Sequence, residues 1–450
     1  MQGKMKTIEN AICYKKHSYK KITKFILFVC LLLIVNNIFK LALVDPCNYQ
    51  LPIRDFYKTD GYDTIFLGTC HSYGSIDPLF LDDRLGISAY NLGTADQSLD
   101  TSFFLLKEAV KHNDIKTVYL EMYYSIWLMD PESYKDRQIG RVSDLWGVMD
   151  VVPFSVDKMR YMFSATNKDY YFMSLFPVCR ERRDIFNFDQ LQKNMEQNVK
   201  IISQDYSQKR GFRVHKGEMN ISPVIYSDVC TTEMIKGDNL RYLEKIISFC
   251  RNKDIELILY TAPMWEGLLM EVDYDKYVEA VTELCRKNDL AYYDFNLVSP
   301  EYMRMDQSSY FDYTRLNEVG SEKFMEVFSD YLNGKYPDDF FLSTYQEKMK
   351  LLEEGVYGIC YHRITDETGE EKGVREYEIR AITNVLEKER IRYSIQITED
   401  NGEQKTVLAP AESGYSLVVP LDEEGEPIAG TISIQIYLDD KEVFCYEGEL

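Results

Sequence analysis

The pattern of hydrophobic and polar residues divides the chain into four regions. Residues 1–24 are polar and basic, and Phe25–Val44 forms a mostly apolar segment. Residues 45–340 largely alternate short apolar runs with longer amphipathic segments, whereas residues 345–450 alternate apolar and polar positions between polar turns. This pattern predicts a tail, a helix of membrane-spanning length, an α/β domain and a small antiparallel β domain.

The third region has the pattern of a parallel sheet. Short apolar runs predict strands, and the amphipathic segments between them predict helices that cross over in the right-handed sense. We therefore predict a three-layer, flavodoxin-like α/β fold. The predicted strands are the run from Thr64 to Leu67, Ser88–Leu92, Lys116–Met122, Glu256–Thr261 and Ala291–Phe295. The predicted helices are Leu79–Leu85, Ser98–Lys111, one that starts at Asp238, Asp273–Asn288 and Leu316–Leu332.

Residues 123–235 interrupt this alternation. Aromatic and methionine residues are frequent in them, for example Tyr161, Phe163 and Phe172. We predict a largely helical insert that acts as a lid over the site. Its aromatic residues form either the core of the insert or a surface that holds sugars or acyl chains.

The last hundred residues predict a different architecture. After a helix at Thr344–Glu354, alternating runs at regular spacing are typical of a small antiparallel β-sandwich. Without a catalytic constellation, this domain is expected to serve in binding, spacing or dimerisation. Among the ten cysteines, we single out Cys360 and Cys445 as a candidate disulfide. The predicted strands are Tyr357–Arg363, Glu376–Ile382, Ile391–Ile397, Tyr415–Val419 and Thr431–Leu438.

The charge distribution separates the N-terminus from the rest of the chain. The net charge is −21, but residues 1–44 hold eight Lys and one Glu, a net +7 that leaves −28 for residues 45–450. An acidic body argues against a nucleic-acid partner, because phosphate binding needs clustered Lys and Arg. The Lys residues before Phe25 predict an uncleaved plasma-membrane anchor with a cytoplasmic N-terminus and an extracellular body. The alternative is a cleaved signal peptide.

Two short segments carry the candidate chemistry. The first, Gly68-Thr69-Cys70-His71-Ser72, follows the first strand at the edge of the sheet where active sites of α/β proteins lie. The second, Asp312-Tyr313-Thr314-Arg315-Leu316-Asn317, lies about 245 residues further on, at the start of the last predicted helix. Gly320 follows it.

These segments resemble the first and last blocks of SGNH/GDSL-type hydrolases. The first is most similar to the Gly-Ser-Ser-His and Gly-Thr-Ser-His variants of membrane-anchored envelope proteins that acylate or deacylate surface polymers. The resemblance covers residues 60–335 and implies that Cys70 occupies the position of the nucleophilic serine. Asp312 matches the family's Asp-x-x-His, but Arg315 stands in place of the histidine. The family's Gly-x-Asn-Asp block has no match.

The resemblance also assigns a second glycine. Gly93, in Asn91-Leu92-Gly93-Thr94, takes the position of the residue whose N–H binds the oxyanion. Without the resemblance, Gly93 is a turn glycine.

The altered positions leave the site without its usual base, since arginine does not release its proton at working pH. One alternative is that Arg315 lowers the pKa of Cys70 and produces a thiolate, with Asp312 positioning Arg315. The other is that His71 or His215 acts as the base. His71 is otherwise a structural hydrogen-bonding residue at the turn.

By resemblance, the expected function is hydrolysis or transfer of ester-linked acyl groups on a cell-envelope polymer. The expected partners are a polysaccharide or teichoic-acid-like polymer and a membrane-bound O-acyltransferase; no cofactor or metal is expected. The alternative is a catalytically inactive scaffold that keeps the fold and binds the polymer or the partner enzyme.

Overall fold

The structure is a computed structural model that describes most of the chain. The described residues are 2–43, 50–128, 145–176, 179, 186–203, 209–219, 229–364, 374–400, 402, 404–410, 415–420 and 430–449. The chain divides into two compact units. Unit 1 comprises Met1–Asp55 and Lys135–Tyr206, and unit 2 comprises Phe56–Tyr134 and Ser207–Leu450.

The centre of unit 2 is a five-stranded parallel sheet with the order β2-β1-β3-β4-β5. This order is that of flavodoxin-like folds, and the predicted parallel sheet is confirmed. All four residues of β1 are buried, as are the last four of β3, which explains their apolar runs. The strands are β1 Thr64–Leu67, β2 Ala89–Asn91, β3 Thr117–Glu121, β4 Glu256–Thr261 and β5 Ala291–Asp294.

Helices connect these strands and follow the last one. Since β2 and β3 lie on opposite sides of β1, right-handed crossovers place the helices before β2 and before β3 on opposite faces of the sheet. The helix before β2 packs beside the last helix of the sheet domain, and the helix before β3 packs beside the one before β4. Numbered along the whole chain, the helices of unit 2 are α3 Cys70–Ser75, α4 Pro78–Leu85, α5 Leu99–His112, α9 Gly237–Asn252, α10 Glu266–Glu271, α11 Tyr274–Asn288, α12 Glu318–Leu332 and α13 Tyr345–Leu351.

The C-terminal part of unit 2 contains two antiparallel sheets, in the orders β10-β7-β6 and β12-β11-β8-β9. The described residues of this region form seven strands instead of the five predicted, because β9 and β12 were not foreseen. Cys360 on β6 and Cys445 on β12 do not form a disulfide, so the candidate disulfide is wrong for this structure. The strands are β6 Val356–Ile364, β7 Val374–Thr383, β8 Ile391–Glu399, β9 Gln404–Pro410, β10 Tyr415–Pro420, β11 Gly430–Leu438 and β12 Lys441–Glu449.

A buried polar group joins α10 and α13 to the sheet domain, and we call Glu266, Tyr345, Lys348 and Asn296 the junction cluster. The Lys348 ammonium lies 2.7 Å from Glu266 Oε1 and donates to the Asn296 carbonyl at 2.8 Å. The Tyr345 hydroxyl donates to Glu266 Oε2 at 2.7 Å. Both charged groups of the cluster therefore have buried partners, as burial of an ion pair requires.

Unit 1 contains a long N-terminal helix and shorter helices from the insert. Tyr19–Leu43 within α1 is long and apolar enough to cross a membrane, and among the described residues it is the one such segment. The orientation of α1 stays a prediction. The predicted insert is divided: part of it is in unit 1, and residues 209–219 and 229–235 belong to unit 2. The helices of unit 1 are α1 Gln2–Leu43, α2 Gln50–Phe56, α6 Val156–Ala165, α7 Tyr171–Leu175 and α8 Phe188–Ser203; Phe56 itself is assigned to unit 2.

Candidate active site

The turn after β1 places Cys70 at the first position of α3. Gly68 has a φ of +151°, and an added Cβ would lie 2.4 Å from Glu121 Cβ, so only glycine fits here. Thr69 then caps α3: its hydroxyl accepts a hydrogen bond from the His71 N–H at 3.3 Å. The Cys70 side chain is partly buried at this carboxyl edge of the sheet.

Asn91, the last residue of β2, fastens α3 in place. Its amide donates to the carbonyls of Ser72 and Ile76 at 2.9 and 3.2 Å. Its Oδ1 accepts from the Gly93 N–H at 3.0 Å. Gly93 thus lies at the Cys70 turn, since a Cβ added to it would be 3.2 Å from both the Thr69 carbonyl and the Tyr73 N–H nitrogen. The N–H that the resemblance assigns to an oxyanion is engaged by Asn91 in this structure.

The loop before α12 brings Asp312 and Arg315 to the same site as one ion pair. Arg315 Nε donates to Asp312 Oδ2 at 2.7 Å, and its Nη2 donates to the same oxygen. Asp312 Oδ1 accepts from the N–H groups of Thr314 and Arg315 at 3.0 and 2.8 Å. Although burial raises the pKa of Asp312, these bonds and the Arg315 charge hold it below its ordinary range. Asp312 is therefore a carboxylate that fixes the Arg315 side chain.

A segment around residue 213 completes the site. The Arg213 N–H donates to the Tyr73 carbonyl at 2.8 Å, and its guanidinium lies over the Tyr73 ring. His215 stacks on Phe311 with ring centroids 5.0 Å apart, and its ring fills the space beside Gly74. Among the described residues, His215 Nε2 and Arg213 Nη1 are buried and have no hydrogen-bond partner. Two nitrogen atoms beside α3 thus remain available to a ligand.

The electrostatic environment keeps Cys70 protonated. Burial raises the pKa of its thiol to about 12, and the Arg315 charge opposes this rise. The negative charges of Glu121, Asp96 and Asp312 add to the rise. Arg315 thus lowers the pKa of Cys70, as the thiolate alternative from the sequence requires. The net shift of this pKa is nevertheless upward.

Both histidines of the site are neutral at physiological pH. Burial lowers the pKa of His71 to about 3, and its ring stacks on Tyr123 with centroids 3.9 Å apart. Burial and the Arg315 charge lower the pKa of His215 to about 4. A neutral imidazole can accept a proton, but so low a pKa makes each histidine a weak base in the unliganded protein.

Glu121, at the end of β3, is a residue that the sequence analysis missed. Its Oε2 accepts from the Thr69 N–H and hydroxyl at 3.1 and 3.0 Å, which ties the Cys70 turn to the centre of the sheet. Its Oε1 is buried and has no hydrogen-bond partner in the described part of the chain. Burial raises the pKa of Glu121 to about 7, although the hydrogen bonds from Thr69 act to lower it. A Glu that ends an apolar strand at the carboxyl edge was the signal for it.

The five residues predicted for the site lie around one turn. The charges of Asp312 and Arg315 shift the pKa values of both Cys70 and His71, and Gly93 lies against the same turn. The structure adds Glu121 and Arg213, and it places His215, the alternative base of the sequence analysis, beside Gly74. Within the described part of the chain, no three His, Cys, Asp or Glu residues are grouped as metal ligands would be.

Comparisons with known proteins add little to this geometry. No family model and no curated protein matches the chain. Among solved structures, the chain is similar to a protein of Bacteroides fragilis NCTC 9343 that is provisionally described as an acylhydrolase. The two are 9% identical with a TM-score of 0.26, over 65% of this chain and 91% of that chain. A TM-score of this size carries no argument about fold or chemistry.

Proposed function

We propose that this protein is a membrane-anchored, SGNH-like hydrolase or acyltransferase that acts on ester-linked acyl groups of a cell-envelope polymer. The observation that carries the proposal is that Cys70 and the Asp312–Arg315 ion pair lie together at the carboxyl edge of the sheet. In the sequence they are near opposite ends of the sheet domain. The Lys residues before Phe25 and the apolar span of α1 support a site outside the cytoplasm.

In the proposed reaction, Cys70 Sγ attacks the carbonyl carbon of the ester. The C–S bond forms, the C–O bond breaks, and the thiol proton passes through His71 or His215 to the leaving alcohol oxygen. Arg315, held by Asp312, stabilises the negative charge on the carbonyl oxygen, and Gly93 donates there once Asn91 releases its N–H. Water or a polymer hydroxyl then attacks the thioester and regenerates the thiol.

Acyl trapping on the full-length protein in detergent micelles tests this proposal. The protein is incubated with p-nitrophenyl acetate, and the acetylated cysteine is mapped by mass spectrometry while nitrophenol release is measured. We expect Cys70→Ala to abolish both the adduct and the release above background. The matched control is Cys445→Ala, an exposed thiol on β12, which should change neither. Equal rates in wild type and Cys70→Ala overturn the proposal.

A second function, a scaffold that binds the envelope polymer or a partner enzyme without catalysis, is favoured by a specific observation. Asp312 is saturated by its own loop, and the pKa of the Cys70 thiol is raised rather than lowered. The double variant Cys70→Ser with Arg315→His distinguishes the two functions, because it rebuilds the family's Ser-His-Asp arrangement. Gain of aryl-esterase activity supports a working cleft. An inert double variant supports the scaffold.

A further inference from the structure

Exposed phenylalanine is concentrated in one part of the protein. Outside α1, every exposed Phe among the described residues lies in the insert part of unit 1. Phe154, Phe172, Phe186 and Phe188 are 81%, 73%, 84% and 74% exposed, and Phe163 on α6 is partly exposed. Water-facing surfaces rarely carry so many large apolar side chains close together in the sequence. The insert therefore has a surface that is suited to an apolar partner.

The helix α8 carries part of this surface as a stripe. Phe188, Met195 and Val199 are exposed and follow one another at seven and four positions, which places them on one face of the helix. Asn194 and Asn198 lie roughly a quarter of a turn away on the same helix. α8 thus directs Asn194 and Asn198 toward another helix, while Phe188, Met195 and Val199 face solvent beside exposed polar residues such as Gln192 and Glu196.

That other helix is α1, at its C-terminal end. The Asn198 amide donates to the Leu41 carbonyl at 3.0 Å, and the Asn194 amide donates to the Leu43 carbonyl at 3.5 Å. The last carbonyls of a helix lack partners within the helix, so these bonds cap α1. The order of the pairs shows that α8 runs antiparallel to α1. The apolar stripe is therefore held beside the end of the apolar span Tyr19–Leu43.

Charge distinguishes the insert from the rest of the body. Residues 145–176 and 186–203 hold five acidic and five basic residues, a net charge of zero, whereas the whole chain carries −21. An acidic surface is repelled by anionic lipid headgroups, and a neutral one is not. Aromatic side chains favour the boundary between lipid headgroups and acyl chains.

We propose that the insert of unit 1 docks on the outer leaflet of the membrane that α1 crosses, with Phe154, Phe172, Phe186, Phe188 and the α8 stripe in the headgroup region. The occupant of this surface is lipid, because the stripe is continuous with the end of α1. This inference rests on the membrane anchoring contained in the proposed function. It adds that the insert is an interfacial element of the membrane.

Site-specific photocrosslinking of the full-length protein tests this docking. Benzoylphenylalanine is introduced singly at Phe172, at Phe188, at Phe28 within α1, and at Leu386. The variants are reconstituted in phosphatidylcholine vesicles that contain alkyne-tagged phosphatidylcholine. Leu386 is the matched control, since it is 90% exposed but lies in the β region of unit 2. We expect lipid adducts at Phe172 and Phe188 at least five-fold above those at Leu386, and strong adducts at Phe28.

The crosslinking positions distinguish failure of the docking from failure of the membrane anchor. Adducts at Phe28 together with background levels at Phe172 and Phe188 overturn the docking and leave the anchor intact. Background levels at Phe28 overturn both the anchor and the docking. Protein–protein adducts without lipid adducts at Phe172 and Phe188 also overturn the docking, in favour of a protein partner on this surface.

Discussion

Two of the buried polar clusters in the described part of unit 2 differ in how completely their groups are paired. In the junction cluster, both oxygens of Glu266 and the Lys348 ammonium have partners at 2.7 Å. Around Cys70, by contrast, Glu121 Oε1 and His215 Nε2 are buried without partners in the described part of the chain. Both clusters lie in the same unit, although Arg315 and Asp312 are 30% and 33% exposed.

We interpret this difference as a distinction between a structural cluster and a candidate functional one. A buried polar atom without a partner costs free energy, and natural folds seldom keep it unless a ligand or a reaction uses it. The junction cluster satisfies its charges and holds α10 and α13 to the sheet domain. The Cys70 cluster instead contains a protonated thiol, two neutral histidines and a guanidinium fixed by Asp312. Beside them are the buried polar atoms that have no partner among the described residues.

The largest effect is expected from Lys348→Met, which removes the cation of the junction cluster and leaves Glu266 buried without its ionic partner. Breaking a buried pair in this way costs about 3–5 kcal/mol of unfolding free energy. The measurement is the thermal unfolding midpoint of the full-length protein in detergent. Adding Glu266→Gln should recover part of the loss, because the unpaired charge is gone. A single variant as stable as wild type contradicts the structural role.

Removing the Glu121 carboxylate, whose Oε1 has no partner among the described residues, should change stability with the opposite sign, and the change should depend on pH. Because the pKa of Glu121 is raised to about 7 from 4.5, the contribution of this group to stability is full below pH 4.5 and is lost as the pH rises through 7. Glu121→Gln does not titrate. The unfolding free energy of this variant, relative to that of wild type, should therefore increase by up to roughly 3 kcal/mol between pH 4 and pH 8.

Thermal unfolding of Glu121→Gln and wild type at pH 4, 6 and 8 measures this gain. Thr69→Val provides a second check, because it removes one of the bonds that lower the pKa of Glu121 and should move the change to higher pH. A constant difference between Glu121→Gln and wild type across the three pH values would show that Glu121 does not titrate in this range.

The sequence predicted the location of the site better than its contents. Cys70 follows a short apolar run that ends in glycine. This local pattern can be recognised in the sequence because all four residues of β1 are buried and therefore largely apolar. Glu121 has the same kind of position at the end of β3, but its role depends on Thr69, which is 52 positions away. No local pattern reports such a pairing. His215 was considered only as an alternative base, since its segment has no regular structure that predicts its approach to Gly74.

The fold shows the same limit. Strands of the parallel sheet were found within one or two residues, since burial on both faces makes their runs apolar. β12 was missed: its apolar run, residues 443–446, is bounded by charged residues, and most of the strand is exposed at the edge of its sheet. The link between α8 and α1 was also missed, because Asn194 and Leu43 are 151 positions apart.

Alkylation of Cys70 tests the electrostatics of the unpaired cluster. With a pKa near 12 instead of 9.0, the folded thiol at pH 8 has a thiolate fraction about a thousandfold smaller than in the unfolded chain. The higher nucleophilicity of a more basic thiolate offsets part of this, so iodoacetamide should react roughly 30- to 100-fold more slowly in the folded protein. Mass spectrometry of the Cys70 peptide, with and without guanidinium, measures the ratio.

Two variants assign the cause of the slow reaction. Arg315→Ala removes the cation that lowers the pKa of Cys70 and should slow alkylation further, whereas Glu121→Gln removes a charge that raises it and should speed alkylation. Fast alkylation of the folded wild type at pH 8 would mean that a thiolate exists in the resting site. That outcome would restore the thiolate alternative and strengthen the catalytic function over the scaffold.

The smallest effect is expected at an ion pair that matches the junction cluster in distance but not in burial. Arg304 lies 2.8 Å from Glu353, and these side chains are 66% and 82% exposed, against 5% and 7% for Lys348 and Glu266. Arg304→Met should change the unfolding free energy by less than about 0.5 kcal/mol, because water solvates the charge left behind. If Arg304→Met and Lys348→Met destabilise the protein equally, burial is not what makes the junction cluster matter. The contrast between satisfied and unsatisfied buried groups would then lose its physical basis.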